Sequence, residues 1–419
     1  MPPVYRPTDF RRIALRSTGG KVKAIFWHLG VRCALEARGF TFTSGFGPRA
    51  TPEPGEIGFL IGSSAGAIFS LLVAAGYDVP EILESFLGRK SRLPRIQDST
   101  VFRRHAHSVR GYIRRVRNAV NLRAGQEIFP GSGVGSVPDP GDGEDQNIEA
   151  EYKLNFRKFL RYFHLADLLV LRSRYSVSGM ERWFQQLLGG HESFEELRTT
   201  LYILGTDLDM PQTVVFGTRD DEHVWYRYLS GVPISRAAAA SMAIPSVFNP
   251  ISVTLGGRKH YFIDGDVYNP TETMVETDHE CDLAIISSFE APYRFHPAIG
   301  SLHHLGLPFE IAQTIALTIY SRFMQARNTA KAKWAGLQAA RDALAPYVDE
   351  ETLERESKRI ASAMEMSLEM KIIHIHPYKN PLLFFGNAFD LSPRSLGKML
   401  VEASLQASDL LDREGFPML

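Results

Sequence analysis

Three short stretches carry residues whose types and spacing suit acyl transfer. The first is Gly62-Ser63-Ser64-Ala65-Gly66, a G-x-S-x-G pentapeptide. A serine held at a sharp strand-to-helix turn needs neighbours without bulk, and Gly62 and Gly66 flank Ser64. Such a turn presents the hydroxyl at the end of a sheet, and the helix N-terminus behind it favours negative charge nearby. A serine-rich turn without chemistry is the other reading. The second stretch is Thr18-Gly19-Gly20-Lys21-Val22-Lys23. Backbone N–H groups of such a turn can face an anion, which makes Gly19, Gly20 and Lys21 candidates for an oxyanion hole, with Lys21 or Lys23 adding positive charge. Losing one such donor costs on the order of 3 kcal/mol of transition-state stabilisation. The stretch lacks the G-x-G-x-x-G of a dinucleotide site, and a plain tight turn is its bland alternative. The third is Asp264-Gly265 after the apolar run Tyr261-Phe262-Ile263. A carboxylate at a strand end lies where ligands bind in α/β sheets. A partly apolar site raises its basicity enough to take a serine proton. Asp-Gly is also a common turn former.

The elements that must position these groups alternate in type. Residues 13–16 read as a short buried strand and 18–20 as a turn. Residues 23–38 carry Phe26, Leu29, Gly30, Cys33, Ala34 and Ala37 at helical spacing, stopped by Gly39. Residues 40–56 read as loop, 58–61 as an apolar strand and 65–76 as an apolar helix. Strand–turn–helix repeated in this way argues for parallel strands. Residues 90–200 break the pattern. A helix is expected over 101–123, with Phe102, Val109, Ile113, Val116 and Val120 on one side and Arg103, Arg104, Arg110, Arg114, Arg115 and Arg117 on the other. Residues 131–149 are Gly-rich and acidic and are expected to be mobile; helical segments follow at 150–171 and 178–188. Strands then read at 201–205, 213–216, 259–263, 283–287 and 371–376. Helices read at 233–242, 307–345 and 349–370, and Ser392 caps a last one. The expected fold is α/β, a three-layer α/β/α sandwich with a mostly parallel central sheet. Residues 10–90 and 200–419 form the catalytic domain, and 91–199 a helical insertion able to act as a lid.

Composition narrows the function classes. The 419 residues are 44% hydrophobic and 22% charged, an ordinary globular balance. Lys plus Arg number 47 and Asp plus Glu 47, so bulk charge points to no nucleic-acid partner. Cys33 and Cys281 form no CxxC and read as buried, inert thiols. The N-terminus lacks the apolar run of a secretory signal. No stretch reaches the roughly 20 apolar residues of a membrane-spanning helix. A cytoplasmic protein is expected, with peripheral membrane contact open. The arginine face of 101–123 suits anionic lipid headgroups or an acidic partner, and equally a solvated surface.

In this order, the three stretches resemble the patatin-like phospholipases. Those proteins carry a Gly-rich oxyanion turn with a basic residue, then G-x-S-x-G, then a distant Asp-Gly-Gly or Asp-Gly-Ala. Further pieces are similar: Gly30-Val31 with Ala34-Leu35-Glu36, a strand at 204–207 ending in Thr-Asp, Ala240-Ser241-Met242-Ala243-Ile244-Pro245, Phe248-Asn249-Pro250 and Asn269-Pro270. The resemblance covers about 10–90 and 200–290. It departs at Asp266, where the family has Gly or Ala, and in a turn of only two glycines. A carboxylate at 266 either raises the pKa of Asp264 or points to solvent. What the resemblance implies is a Ser64–Asp264 dyad without histidine, metal or cofactor, acting on lipid or phospholipid esters. The rival readings are a carboxylesterase or acylglycerol lipase with the same dyad, and a catalytically silent lipid-binding or regulatory protein.

The histidines offer a rival to the dyad itself. His374 and His376 on the last strand would complete the Ser…Asp…His order of ordinary α/β-hydrolases. Against that, Ser64 comes after only two strand signals, and alternating His-Ile-His suits a strand with one polar face. His28 reads as structural and His303-His304 as loop.

Overall fold

The computed structural model describes residues 3–95, 103–104, 175–210, 212–245, 247–268, 273–289, 292–293, 295, 300–305, 307–364, 370–377 and 393–418; of some of these, Lys21, Val22, Arg103, Arg104 and Tyr175 among them, it describes the backbone alone. In chain order the strands are β1 (Ile13–Ser17), β2 (Thr41–Phe42), β3 (Glu56–Ser63), β4 (Arg103–Arg104), β5 (Tyr175–Ser176), β6 (Thr200–Asp207) and β7 (Thr213–Phe216). They continue with β8 (Asp221–Glu222), β9 (Tyr226–Leu229), β10 (Ile251–Leu255), β11 (Arg258–Asp264), β12 (Leu283–Ser287) and β13 (Lys371–Ile375). The main sheet runs β13-β12-β1-β3-β6-β7-β9-β8. From β13 to β6 every neighbouring pair is parallel. Strands of this kind are covered on both faces, which is why they read as unbroken apolar runs.

Register brings the strand ends level. Ser17 lies opposite both Gly62 and Ser287, and Ser63 opposite Leu204. One edge of β6 is shared by two strands. β3 pairs with it over 200–204 in parallel, and β11 over 205–207 in antiparallel, with Asp264 opposite Gly205. β7 holds the other edge at 203–206. β3 and β11 therefore approach end to end in one lane, and the chain positions after β3 meet the last residue of β11. The β10–β11 hairpin turns on Gly256-Gly257, both at positive φ, as a tight two-residue turn demands.

The two faces of the sheet are covered differently. Ala14, Ile61, Tyr202, Leu204, Val215, Tyr228 and Ala284 share one face and cluster with Val275, Cys281 and Met370. Helix Met274–Asp278 lies there. The alternate residues point to the opposite face. That face carries α1 (Lys21–Glu36), α2 (Ala65–Ala74), helix Ile234–Ser241 and, packed on α1, helix Pro393–Arg413. Every residue of α2 is buried, which fits its almost wholly apolar sequence. Ile68, Phe69, Leu71 and Leu72 each contribute roughly 1.5–3 kcal/mol by burial. The crossing of α1 by the C-terminal helix requires Gly30, where a Cβ would sit 2.4 Å from Leu400 O. Buried Arg38 adds donors to Phe416 O at 2.8 Å and Ser408 O at 2.8 Å and an ion pair to Asp412 at 2.7 Å.

The expected α/β/α sandwich is thus present, with corrections. β2, β8, β9 and β10 were not expected as strands, nor the helix Val79–Phe86, although Asp78 and Glu81 form its capping box. The chain divides into two compact units, 1–103 with 177–419, and 104–176. Helix Ser178–Leu188, expected in the insertion, belongs to the first unit because Trp183, Phe184 and Leu187 are buried there. Arg103 and Arg104, expected inside a basic helix, form a two-residue strand paired with β5, so their backbone groups serve a ladder. Arg110, Arg114, Arg115, Arg117 and the loop 131–149 lie outside the described residues. Among the described residues no helix is long and apolar enough to cross a membrane.

Candidate active site

The elbow follows from the join of β3 to α2. Ser64 has φ 52° and ψ −124°, one of two non-glycine residues at positive φ among those described. That conformation is costly for a side chain and persists only where the surroundings enforce it. Here both flanking glycines are sterically required. A Cβ on Gly62 would lie 2.5 Å from Ala67 Cα, and one on Gly66 2.0 Å from Ser17 O. The Ser64 N–H donates to Ser241 Oγ at 2.8 Å, so it is not free to face a ligand. The first N–H groups of α2, at Ala65 and Gly66, have no acceptor within the helix.

The glycine turn packs directly on this elbow. Gly20 caps α1 at φ 135°, a conformation that favours glycine. A Cβ on Gly19 would lie 2.7 Å from Ser64 Cβ. His28 braces the turn from behind. Its Nε2–H donates to Thr18 O at 2.8 Å, and Nδ1 accepts from Ser287 Oγ at 2.7 Å. Burial lowers its pKa to about 4, partly offset by the Thr18 carbonyl, so the neutral ring with hydrogen on Nε2 is the working form. These two buried hydrogen bonds give His28 the structural role expected for it. Lys23 is buried.

Asp264 closes β11 and is buried. Its N–H donates to Ala243 O at 3.1 Å, and its carbonyl accepts from Thr206 Oγ1 at 3.0 Å. Oδ1 accepts from the Asp266 N–H at 2.9 Å. One short segment, 241–243, therefore holds the backbone of both Ser64 and Asp264. Asp266 does not point to solvent. Half-buried as a residue, it has an enclosed carboxylate that accepts from Ser63 Oγ and from the Gly19 N–H. A Cβ on Gly19 would fall 1.9 Å from Asp266 Oδ2. Burial pushes the Asp266 carboxyl up to about 6, against the stabilising pull of Ser63, Gly19 and the charge of Arg16.

Arg16 and Glu276 form a bidentate buried pair beside this group, at 2.7 and 2.5 Å. Neither was singled out in the sequence, and neither was the role of Ser241. The available signals were an arginine inside an apolar strand and a serine within an alanine-rich buried helix; buried polar groups of this kind require partners. His374 lies opposite Ile286 on β13, three strands from β3 and roughly 14 Å away at the usual strand spacing. His303 and His304, expected in a loop, lie in the short 3-10 helix Leu302–Leu305, where exposed His303 pairs with Glu310. Cys281 is buried, but Cys33 is only half-buried because it lies on the flank of α1; burial raises the pKa of both thiols. Asn269-Pro270 lies outside the described residues. Among the described residues no group of three or more His, Cys, Asp or Glu can hold a metal ion.

A parallel sheet with a strand–serine–helix elbow, a glycine turn against it and a carboxylate closing the adjoining strand belongs with the α/β/α lipid hydrolases. A family model for the patatin-like phospholipases matches residues 18–275, more than half of the chain. The chain belongs to that family, whose members act on lipids as hydrolases. Comparison with curated proteins gives no match.

Proposed function

We propose that the protein hydrolyses fatty acyl esters of phospholipids through Ser64 and Asp264. Ser64 Oγ attacks the ester carbonyl while its proton passes to the Asp264 carboxylate. The oxyanion is held by N–H groups of the 19–21 turn and of Ala65. Collapse expels the alcohol, which takes the proton from Asp264. Asp264 then deprotonates a water that attacks the acyl-enzyme, the fatty acid leaves, and Ser64 regains its proton. The observation that carries this reading is the shared tether: Ser64 N to Ser241 Oγ and Asp264 N to Ala243 O, with β3 and β11 meeting end to end on β6. A peripheral contact with the lipid surface that holds the substrate is part of the proposal.

The test is lipid profiling by mass spectrometry with wild type, Ser64→Ala and Asp264→Asn side by side. Wild type should release fatty acid and lysophospholipid. Both variants should lose about 10⁴-fold or more in kcat with unchanged circular dichroism. Equal product from Ser64→Ala would end the dyad reading. A preference for soluble short esters over vesicles would favour a carboxylesterase. A silent protein is favoured by one observation, the Asp266 carboxylate on the Gly19 amide.

A further inference from the structure

We propose that Asp266 is an internal plug of the oxyanion site, resting on the Gly19 amide and Ser63 hydroxyl and leaving them before acyl transfer at Ser64 proceeds. The inference rests on the Ser64–Asp264 reading and adds regulation to it. Two donors hold the carboxylate, the Gly19 N–H and Ser63 Oγ–H. The geometry is close: the direction in which a Gly19 side chain would grow meets Asp266 Oδ2 at 1.9 Å and Ser64 Cβ at 2.7 Å. Asp266 and Ser64 therefore border the same small space. An oxyanion hole is a set of donors preorganised for negative charge, and a carboxylate is an anion of suitable size. While it sits there it excludes the substrate oxygen by volume and repels the oxyanion by charge.

The groups around Asp266 set how firmly it stays. Asp264 on β11 accepts its backbone N–H at 2.9 Å and contributes a second carboxylate nearby. Arg16 on β1 favours the ionised form, but most of its charge is matched by Glu276 of helix Met274–Asp278. His28 on α1, behind Thr18, is neutral. Ser63 on β3 supplies the hydroxyl. Arg16 Nη1 is buried without a partner among the described residues, so a carboxylate leaving Gly19 has a cation on its own side. Burial pushes the Asp266 carboxyl up to about 6. The docked carboxyl holds its proton more tightly than a solvated one, so docking is favoured below about 6 and weakens as pH rises through that value and the buried charge seeks water or Arg16.

The experiment measures kcat and KM on p-nitrophenyl butyrate from about pH 5 to 9, a span that brackets this titration, with the full chain and Ser64→Ala, Asp266→Ala, Asp266→Asn and Ser63→Ala. A fluorophosphonate probe reports Ser64 labelling in each. Wild-type kcat should rise as pH rises through about 6 and the plug leaves, and Asp266→Ala should keep its activity below that pH. Below about pH 6 Asp266→Ala should exceed wild type in kcat by at least about tenfold, less than one oxyanion donor is worth, with the gap narrowing as pH rises. Asp266→Asn keeps the shape and mimics the neutral acid at every pH; it should stay seated and lack the rise of wild type, and it stands in if the alanine variant misfolds. Ser63→Ala should raise kcat by a smaller factor. If wild-type turnover depends on Ser64, and either Asp266→Asn, folded, shows the wild-type rise with pH or Asp266→Ala, folded, shows no more activity than wild type below about pH 6, the plug is refuted and the dyad survives. If no protein shows Ser64-dependent turnover or labelling, both readings fall.

Discussion

The two faces of the sheet reach the candidate site with different chemistry. On the α1 side the supports are neutral: His28 between Thr18 and Ser287, and Ser241 on the Ser64 N–H. On the Met274–Asp278 side they are charged: Arg16 with Glu276, and Asp266 between Ser63 and Gly19. Neutral hydrogen bonds contribute about 1 kcal/mol each and fix geometry. A buried ion pair contributes little net stability, yet breaking it is severe, because the surviving charge loses its partner. The α1 side thus sets position, and the opposite side sets sensitivity to charge.

The largest test of this contrast is Glu276→Gln. It strands Arg16 and should cost about 3–5 kcal/mol in urea unfolding. Pairing it with Arg16→Met should recover much of that loss. If the single variant costs no more than a neutral contact, the charged side is not distinct. Next is Ser241→Ala, which leaves the Ser64 N–H without its acceptor. It should cost about 1–3 kcal/mol of stability and lower kcat while circular dichroism stays the same; unchanged kcat would remove Ser241 from the positioning of Ser64.

The smallest effect is in the pH dependence of melting, where the two sides have opposite signs. The folded pKa of His28 lies below its unfolded 6.5, at about 4, so its contribution is full above 6.5 and is lost as pH falls toward 4. The folded pKa of Asp266 is raised from 3.8 to about 6, so its contribution is full below 3.8 and is lost as pH rises through 6. Asp266→Asn should therefore melt higher than wild type above that range, with the gap closing at acid pH. A gap independent of pH would mean that packing, not charge, separates the two proteins.

Much of the scaffold was legible because its strands are buried on both faces and leave plain apolar runs. β12 matches its expected span, and β1, β3 and β13 differ only at their ends. β8 and β10 were illegible for the converse reason: Asp221–Glu222 is polar, and Ile251–Leu255 is half exposed, so neither has a clear apolar run. At the site, the G-x-S-x-G glycines could be read because sterics at a tight turn leave few choices. The contacts of Asp266 could not. Nothing local in Asp-Gly-Asp tells which carboxylate turns toward Gly19, since that depends on β11 entering β6 from the opposite end. Ser241 was visible as part of a motif, but its partner lies 177 residues away.

Because β3 and β11 occupy one lane of β6, the spacing between hydroxyl and carboxylate is counted in rungs of the ladder. Lengthening β11 by a single residue would rotate position 264 to the other side of the pleat. The Gly256-Gly257 tip sits at the far end of that hairpin, beyond the last rung. Natural variation and grafted inserts alike should accumulate at that tip, leaving the segment from Arg258 to Asp264 constant in length.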